Sequence, residues 1–223
     1  MSRPGRLIVT LTLAAVAAPT LPAQGANELA QVCKTVGDAK IGQWASFDAT
    51  SGSEGGKVRL AIIGSQRSGD TTLYWFEVNV AAKDPSHSGV LQLLAPSLSA
   101  GTAGVHSVIL KWGAQPAVKV SGQMAAMLIQ KTGQNNSVID WAARCASARV
   151  VGRESVTVSG GAFQALHVTL DDGTDVWASR EVPFGLVKLR GKDGELALTA
   201  RGSDAKSSLT EKPLDMGGMM SKP

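Results

Sequence analysis

Aromatic side chains are scarce in this chain: one tyrosine, four phenylalanines and five tryptophans among 223 residues. Histidine and cysteine are scarcer still, at three and two. These shortages exclude several function classes. His87, His106 and His167 lie far apart in the sequence and none neighbours a cysteine, so no metal-ligand spacing exists and neither a metal nor a cofactor is expected. There is no C-x-x-C pair for thiol–disulfide catalysis. There is also no G-x-S-x-G elbow, and the glycine-rich spots at Ser53–Gly56 and Ser159–Gly161 lack the Lys-Ser/Thr of a phosphate loop. No catalytic residue is predicted, and the chain does not read as an enzyme.

Charge of one sign is also lacking. The 22 basic residues, less Arg3 and Arg6 of the leader discussed next, face 18 acidic ones, a net of +2 with no basic run. Such a balance argues against nucleic acid as a partner. Beyond the N-terminus no apolar run reaches the ~20 residues needed to cross a bilayer.

What is present begins with that N-terminus. Arg3 and Arg6 form a basic segment, Leu7–Ala18 an apolar run of signal-peptide length, and the small residues around Pro22 and Ala23 a cleavage site. Residues 1–23 are therefore expected to be a cleaved signal peptide, with a membrane anchor as the competing reading that the shortness of the run disfavours. Cys33 follows Ala30-Gln31-Val32, which is not a lipobox. The expected mature protein is periplasmic or secreted and soluble, with at most transient membrane contact.

Residues 24–202 are expected to form one domain and residues 203–223 a flexible, aperiodic tail. Leu29, Val32, Cys33 and Val36 fall at i, i+3, i+4, i+7, which predicts a helix over Asn27–Gly37. Val138, Trp141, Ala142 and Cys145 repeat the pattern, and a further helix is expected after Ser121, carrying Met124, Met127 and Leu128. Cys33 and Cys145 thus both occupy apolar helical stripes in a chain bound for an oxidising space, which favours a disulfide over two buried thiols.

Strand-like runs occupy Ile41–Ala49, Lys57–Gly64, Thr71–Ala81, Ser88–Leu98, Val105–Gly113 and Ala117–Val120, the fourth being nearly as compatible with a helix. From Arg149 to Arg201 the chain alternates apolar and polar residues in short segments. Gly160-Gly161, Asp172-Gly173 and Asp193-Gly194 separate them, so a five-stranded meander is predicted. Pro183 and Gly185 interrupt it as a structural corner, since one lacks an amide proton and the other tolerates unusual φ. The expected class is mainly β (α+β): a single curved antiparallel sheet, or half-open β-barrel, covering a few short helices.

Val176–Lys188, VWASREVPFGLVK, together with Lys192–Ser208 and the earlier strand Val156–Phe163, VTVSGGAF, resembles the C-terminal part of uncharacterised secreted bacterial proteins with a V-P-F-G motif. The wider resemblance is to the LolA/LolB-like periplasmic lipoprotein-carrier superfamily. It implies a half-barrel whose sheet wraps short helices and cups an acyl chain. The apolar sheet face holds more large aromatics than three short helices obviously cover. Trp44, Phe76, Met127, Trp141, Trp177 and Phe184 are therefore the candidate lining for a lipid or lipoprotein acyl chain. The alternative expectation is a filled interior serving a structural or protein-interaction role in the envelope.

Overall fold

The computed structural model describes residues 21–38, 40–51, 54–101, 104–132 and 137–216. The expected leader, as far as residue 20, and the last seven residues of the expected tail lie outside the described residues. A helix, α1 (Leu21–Gly37), precedes six strands: β1 (Trp44–Ser51), β2 (Glu54–Ser68), β3 (Thr71–Ala82), β4 (Gly89–Ala95), β5 (Ser107–Trp112) and β6 (Val118–Ser121). Two helices follow, α2 (Gln123–Thr132) and α3 (Ser137–Arg144). Then come β7 (Arg149–Val158), β8 (Gly161–Thr169), β9 (Asp175–Ala178), β10 (Leu186–Gly191), β11 (Gly194–Gly202) and the two-residue β12 (Leu214–Asp215).

All twelve strands belong to one sheet, in the order β12-β6-β5-β4-β3-β2-β1-β11-β10-β9-β8-β7. Two consecutive meanders, β1–β6 and β7–β11, are joined by the antiparallel pairing of β1 with β11. Only β12 runs parallel to its neighbour, β6. The meander hairpins turn at the glycine-containing positions the sequence marks: Val158 pairs with Gly161, and Gly191 with Gly194. The sheet does not close, because β7 and β12 are both edges.

Curvature comes from irregularities in register. Shifts fall at Ile62/Gly64 in β2, Val150/Gly152 in β7, Leu186/Lys188 in β10 and Ser46/Phe47 where β1 meets β11. An extra residue on one strand of a pair bends that strand and increases its twist. The second meander curls far enough for the Gly160 amide, at the β7–β8 turn, to donate to the Leu198 carbonyl of β11 at 2.9 Å.

Period-two alternation then assigns the two faces. Ala45, Phe47, Leu60, Ile62, Phe76, Val78, Leu166, Val168, Val176, Leu186 and Leu198 point to the helix-covered face and belong to one continuous core with Val32, Val36, Trp141 and Cys145 from the helices. A disulfide joins Cys33 of α1 to Cys145 just after α3, with Cα atoms 5.6 Å apart. It ties together the two helices that plug the sheet.

Residues 203–216 cross the opposite, outer face of the sheet as an extended strap. Ala205 donates to the Gly42 carbonyl, and Asp204 accepts from the Trp44 indole at 2.7 Å. Further on, Leu214 donates to the Ala117 carbonyl at 2.8 Å as β12 begins. Between these anchors the strap covers Glu77, a carboxylate with no exposure at all. Gln92 Nε2, Ser207 Oγ, Ser208 Oγ and the Ser208 amide all donate to it, at 2.7 to 3.1 Å. A buried carboxyl group persists when its oxygens are supplied with hydrogen bonds in this way.

Candidate functional site

The six residues expected to line one concave pocket occupy three different environments. Phe76, Trp141 and Phe184 are in the core, at 1%, 0% and 3% exposure. Met127 stands on the exposed side of α2, where Ala125 and Ile129 face the sheet instead. Trp44 and Trp177 lie on the outer face, because their strand neighbours Ala45 and Val176 take the inner one. The six therefore do not converge. Strand parity, rather than aromatic character, decides where each side chain goes.

Around Trp177 the outer face carries a polar network. His167, directly opposite on β8, stacks on the indole with ring centroids 4.7 Å apart. Lys188 and Arg190 of β10 lie 5.6 and 5.7 Å from the Trp177 ring centroid. The indole N–H donates to Glu154 at 2.7 Å, and the two ring nitrogens of His167 meet Glu154 and Asp175 at 2.7 and 3.0 Å. The hydrogen bond from Trp177, seconded by His167, holds the Glu154 carboxyl below its ordinary range. At Asp175 partial burial pushes upward, but bonds from His167 and Thr169 more than offset it, and the net shift is down. Lys188 and Arg190 in turn hold Glu195 of β11, at 2.8 and 3.0 Å. Acids and bases alternate across β7–β11, and each pairs with a neighbour, which is what a stiffened sheet surface requires.

The inner corner is built differently. Pro183–Gly185 makes a single 3-10 turn between β9 and β10, with Phe184 at φ 64° and Gly185 at φ 69°. The Gly185 amide donates to the Val182 carbonyl, and the Ser179 amide to the Gly185 carbonyl, both at 2.9 Å. The turn presses on α1 so closely that a Cβ at Gly185 would stand 3.0 Å from Val36 Cγ2 and 3.2 Å from Val32 Cγ1. The Trp141 indole of α3 donates to the Phe184 carbonyl at 3.3 Å. Helix α1, helix α3, the disulfide and the V-P-F-G turn thus lock into one unit.

No protein-family model matches the chain, and no curated protein matches it in sequence. Among solved structures it is similar to the crystal structure of MucB in complex with MucA(peri), with a TM-score of 0.44 and 11% identity over 85% of this chain and 59% of that one. It is also similar to a crystal structure of MucB alone, with a TM-score of 0.45 and 13% identity over 83% of this chain and 61% of that one. The chain accordingly spans about three fifths of the length of these structures.

Two clefts border α1. One, of about 480 Å³, is polar and lies between the C-terminal end of α1, the Arg180–Pro183 segment and the end of β11; Lys40, Gln43, Arg180, Glu181 and Arg201 line it. The other, of about 450 Å³, is an apolar groove between α1 and the start of β7, lined by Ala26, Leu29, Ala30, Cys33, Ala148 and Val150. Each is assembled from chain segments more than a hundred residues apart. No local sequence signal reports such a meeting. Among the described residues, no group of three or more His, Cys, Asp and Glu side chains is placed to hold a metal ion.

Proposed function

We propose that the chain is an exported half-barrel whose interior is filled by its own side chains and which acts as a protein-interaction module of the cell envelope. The observation that carries this reading is the packing of the inner face. Trp141, Phe47, Phe76, Leu60, Ile62, Ile129, Leu186 and Leu198 are each less than 2% exposed. Such packing favours a filled interior over one that holds an acyl chain. The disulfide between α1 and α3 favours a plug that stays in place, and export rests on the basic-then-apolar leader over residues 1–23.

A second reading keeps a hydrophobic ligand, a lipid or lipoprotein acyl chain, and moves it from the interior to the groove beside α1. The apolar lining of that groove favours it, at ~0.8 kcal/mol for each methylene buried. Native mass spectrometry of protein purified without detergent separates the two readings. The interaction module gives the mass of the mature polypeptide, two hydrogens light for the disulfide. A mass excess removed by organic extraction would overturn it in favour of a carrier.

A further inference from the structure

Three cationic side chains meet at the polar cleft with no carboxylate in ion-pair range among the described residues. Part of the basic complement, namely Lys34, Lys111, Arg144, Arg153, Lys188 and Arg190, is held by acids. Lys40, Arg180 and Arg201 are not. Arg180 donates to the neutral Gln31 side chain at 2.6 Å, and Arg201 lies 4.9 Å from the Phe163 ring centroid. Of the two acids in the cleft, Asp38 is already engaged by Lys34 at 3.0 Å, which leaves Glu181 as the single counter-charge. The carbonyl end of α1 offsets roughly another half charge. The cleft therefore retains a net charge of roughly +1.5. It also offers the Gln43 amide as a neutral donor and acceptor.

We infer that this cleft is a docking site for an acidic peptide segment of a protein partner. The inference rests on the interaction-module reading and names the chemistry of the partner. The three cations come from three separate segments: the link between α1 and β1, the β9–β10 connection and the end of β11. They line an open trough of about 480 Å³. That arrangement suits carboxylates spaced along an extended chain, with Gln43 placed for backbone amides. A single phosphate would need convergent donors. A cleft of one charge sign also speeds encounter with an oppositely charged segment, and salt weakens both effects.

The test uses a fluorescein-labelled Gly-Asp-Glu-Ala-Asp-Glu-Gly peptide and its Asn/Gln counterpart, followed by anisotropy with the full-length mature protein in 50 mM and 300 mM salt. Saturable binding of the acidic peptide alone is expected, weaker in high salt. The Lys40→Gln/Arg201→Gln variant should weaken it at least tenfold, and Glu181→Gln should tighten it. A control with the same charge change elsewhere, Arg67→Gln/Lys192→Gln, should leave it within twofold. Four results would overturn the inference: no saturable binding, equal weakening by both double variants, full displacement by an equimolar amount of inorganic phosphate, or preferential binding to phosphatidylglycerol vesicles. If the peptide fails while native mass spectrometry still shows the bare polypeptide, only this docking site falls and the interaction module stands. An extractable mass excess would instead remove the module reading itself.

Discussion

Alanine in place of Gly185 should cost distinctly more stability than alanine in place of Gly173, although both glycines have positive φ, at 69° and 84°. The backbone cost is common to the two: an L-residue in the left-handed region loses about 1–2 kcal/mol. At Gly173 that is the whole cost, because a Cβ there would meet nothing within 4 Å. At Gly185 it would press on Val36 Cγ2 at 3.0 Å and Val32 Cγ1 at 3.2 Å. The disulfide holds α1 at Cys33, the residue after Val32, so the helix has little room to retreat. Overpacking of a well-filled site adds about 1–3 kcal/mol. The expected losses are therefore ~1–2 kcal/mol for Gly173→Ala and ~2–5 kcal/mol for Gly185→Ala. Urea unfolding followed by tryptophan fluorescence measures both, with an unchanged m-value as the check that only the folded state was altered. In a Cys33→Ala/Cys145→Ala background α1 is free to move, and the gap between the two alanine variants should narrow to below ~1 kcal/mol. Equal losses in the disulfide-bonded protein would refute the idea that the V-P-F-G turn bears directly on α1.

Three further outcomes follow from the same geometry. Reduction of Cys33–Cys145, which are separated by 112 positions, should lower stability by up to ~4–5 kcal/mol in the chain-entropy model, read as a fall in the urea midpoint under reducing conditions. The side-chain hydrogen bond from Arg144 holds the Asp172 carboxyl well below its usual range, helped by the Thr174 amide. A depressed folded-state pKa stabilises above the unfolded value near 4 and is lost as pH falls below it. Wild type should therefore exceed Asp172→Asn by no more than ~1 kcal/mol at pH 7, since Asp172 is half exposed, and the difference should shrink progressively as pH falls below about 4. Truncation after Gly202 removes the strap, strips Glu77 of its Ser207 and Ser208 donors and ends the β12–β6 pair. Thermal unfolding should register a loss of at least ~2 kcal/mol, with faster hydrogen exchange in β3 and β4.

Much of the architecture was legible in the residues. The meander predicted from Arg149 to Arg201 corresponds to β7–β11, and the six earlier strand-like runs to β1–β6, including Gly89–Ala95, where branched residues outweighed a helical reading. Helix α1 starts six residues before the expected Asn27, and the added residues meet β7, where a Cβ at Gly25 would stand 2.9 Å from Val150 Cγ1. What composition did not convey was parity. Trp177 is large and apolar, yet it sits one residue from Val176, and the inner face can take only one of the two. The strap was equally opaque. Its residues are fixed by scattered bonds at Asp204, Ser207, Ser208, Glu211 and Leu214, none of which needs a repeating pattern. The polar cleft depends on three segments that no periodicity relates. The V-P-F-G corner has a local meaning: a tight turn against a tethered helix.

The seam between β1 and β11 sets the order of events when the chain folds. Every other antiparallel pairing joins strands that follow one another in sequence, so each meander can zip up from its own hairpins. The seam alone brings Trp44 to Gly202, across nearly the whole described chain. Contacts of such long range are the slow ones, because their closure entropy is spent before any of them stabilises. Until β11 arrives, β1 presents an unpaired edge in the middle of what will become the sheet, and that edge is an open template for other chains. Refolding yield should therefore fall with protein concentration, and the interval of risk is the time the two halves take to find each other.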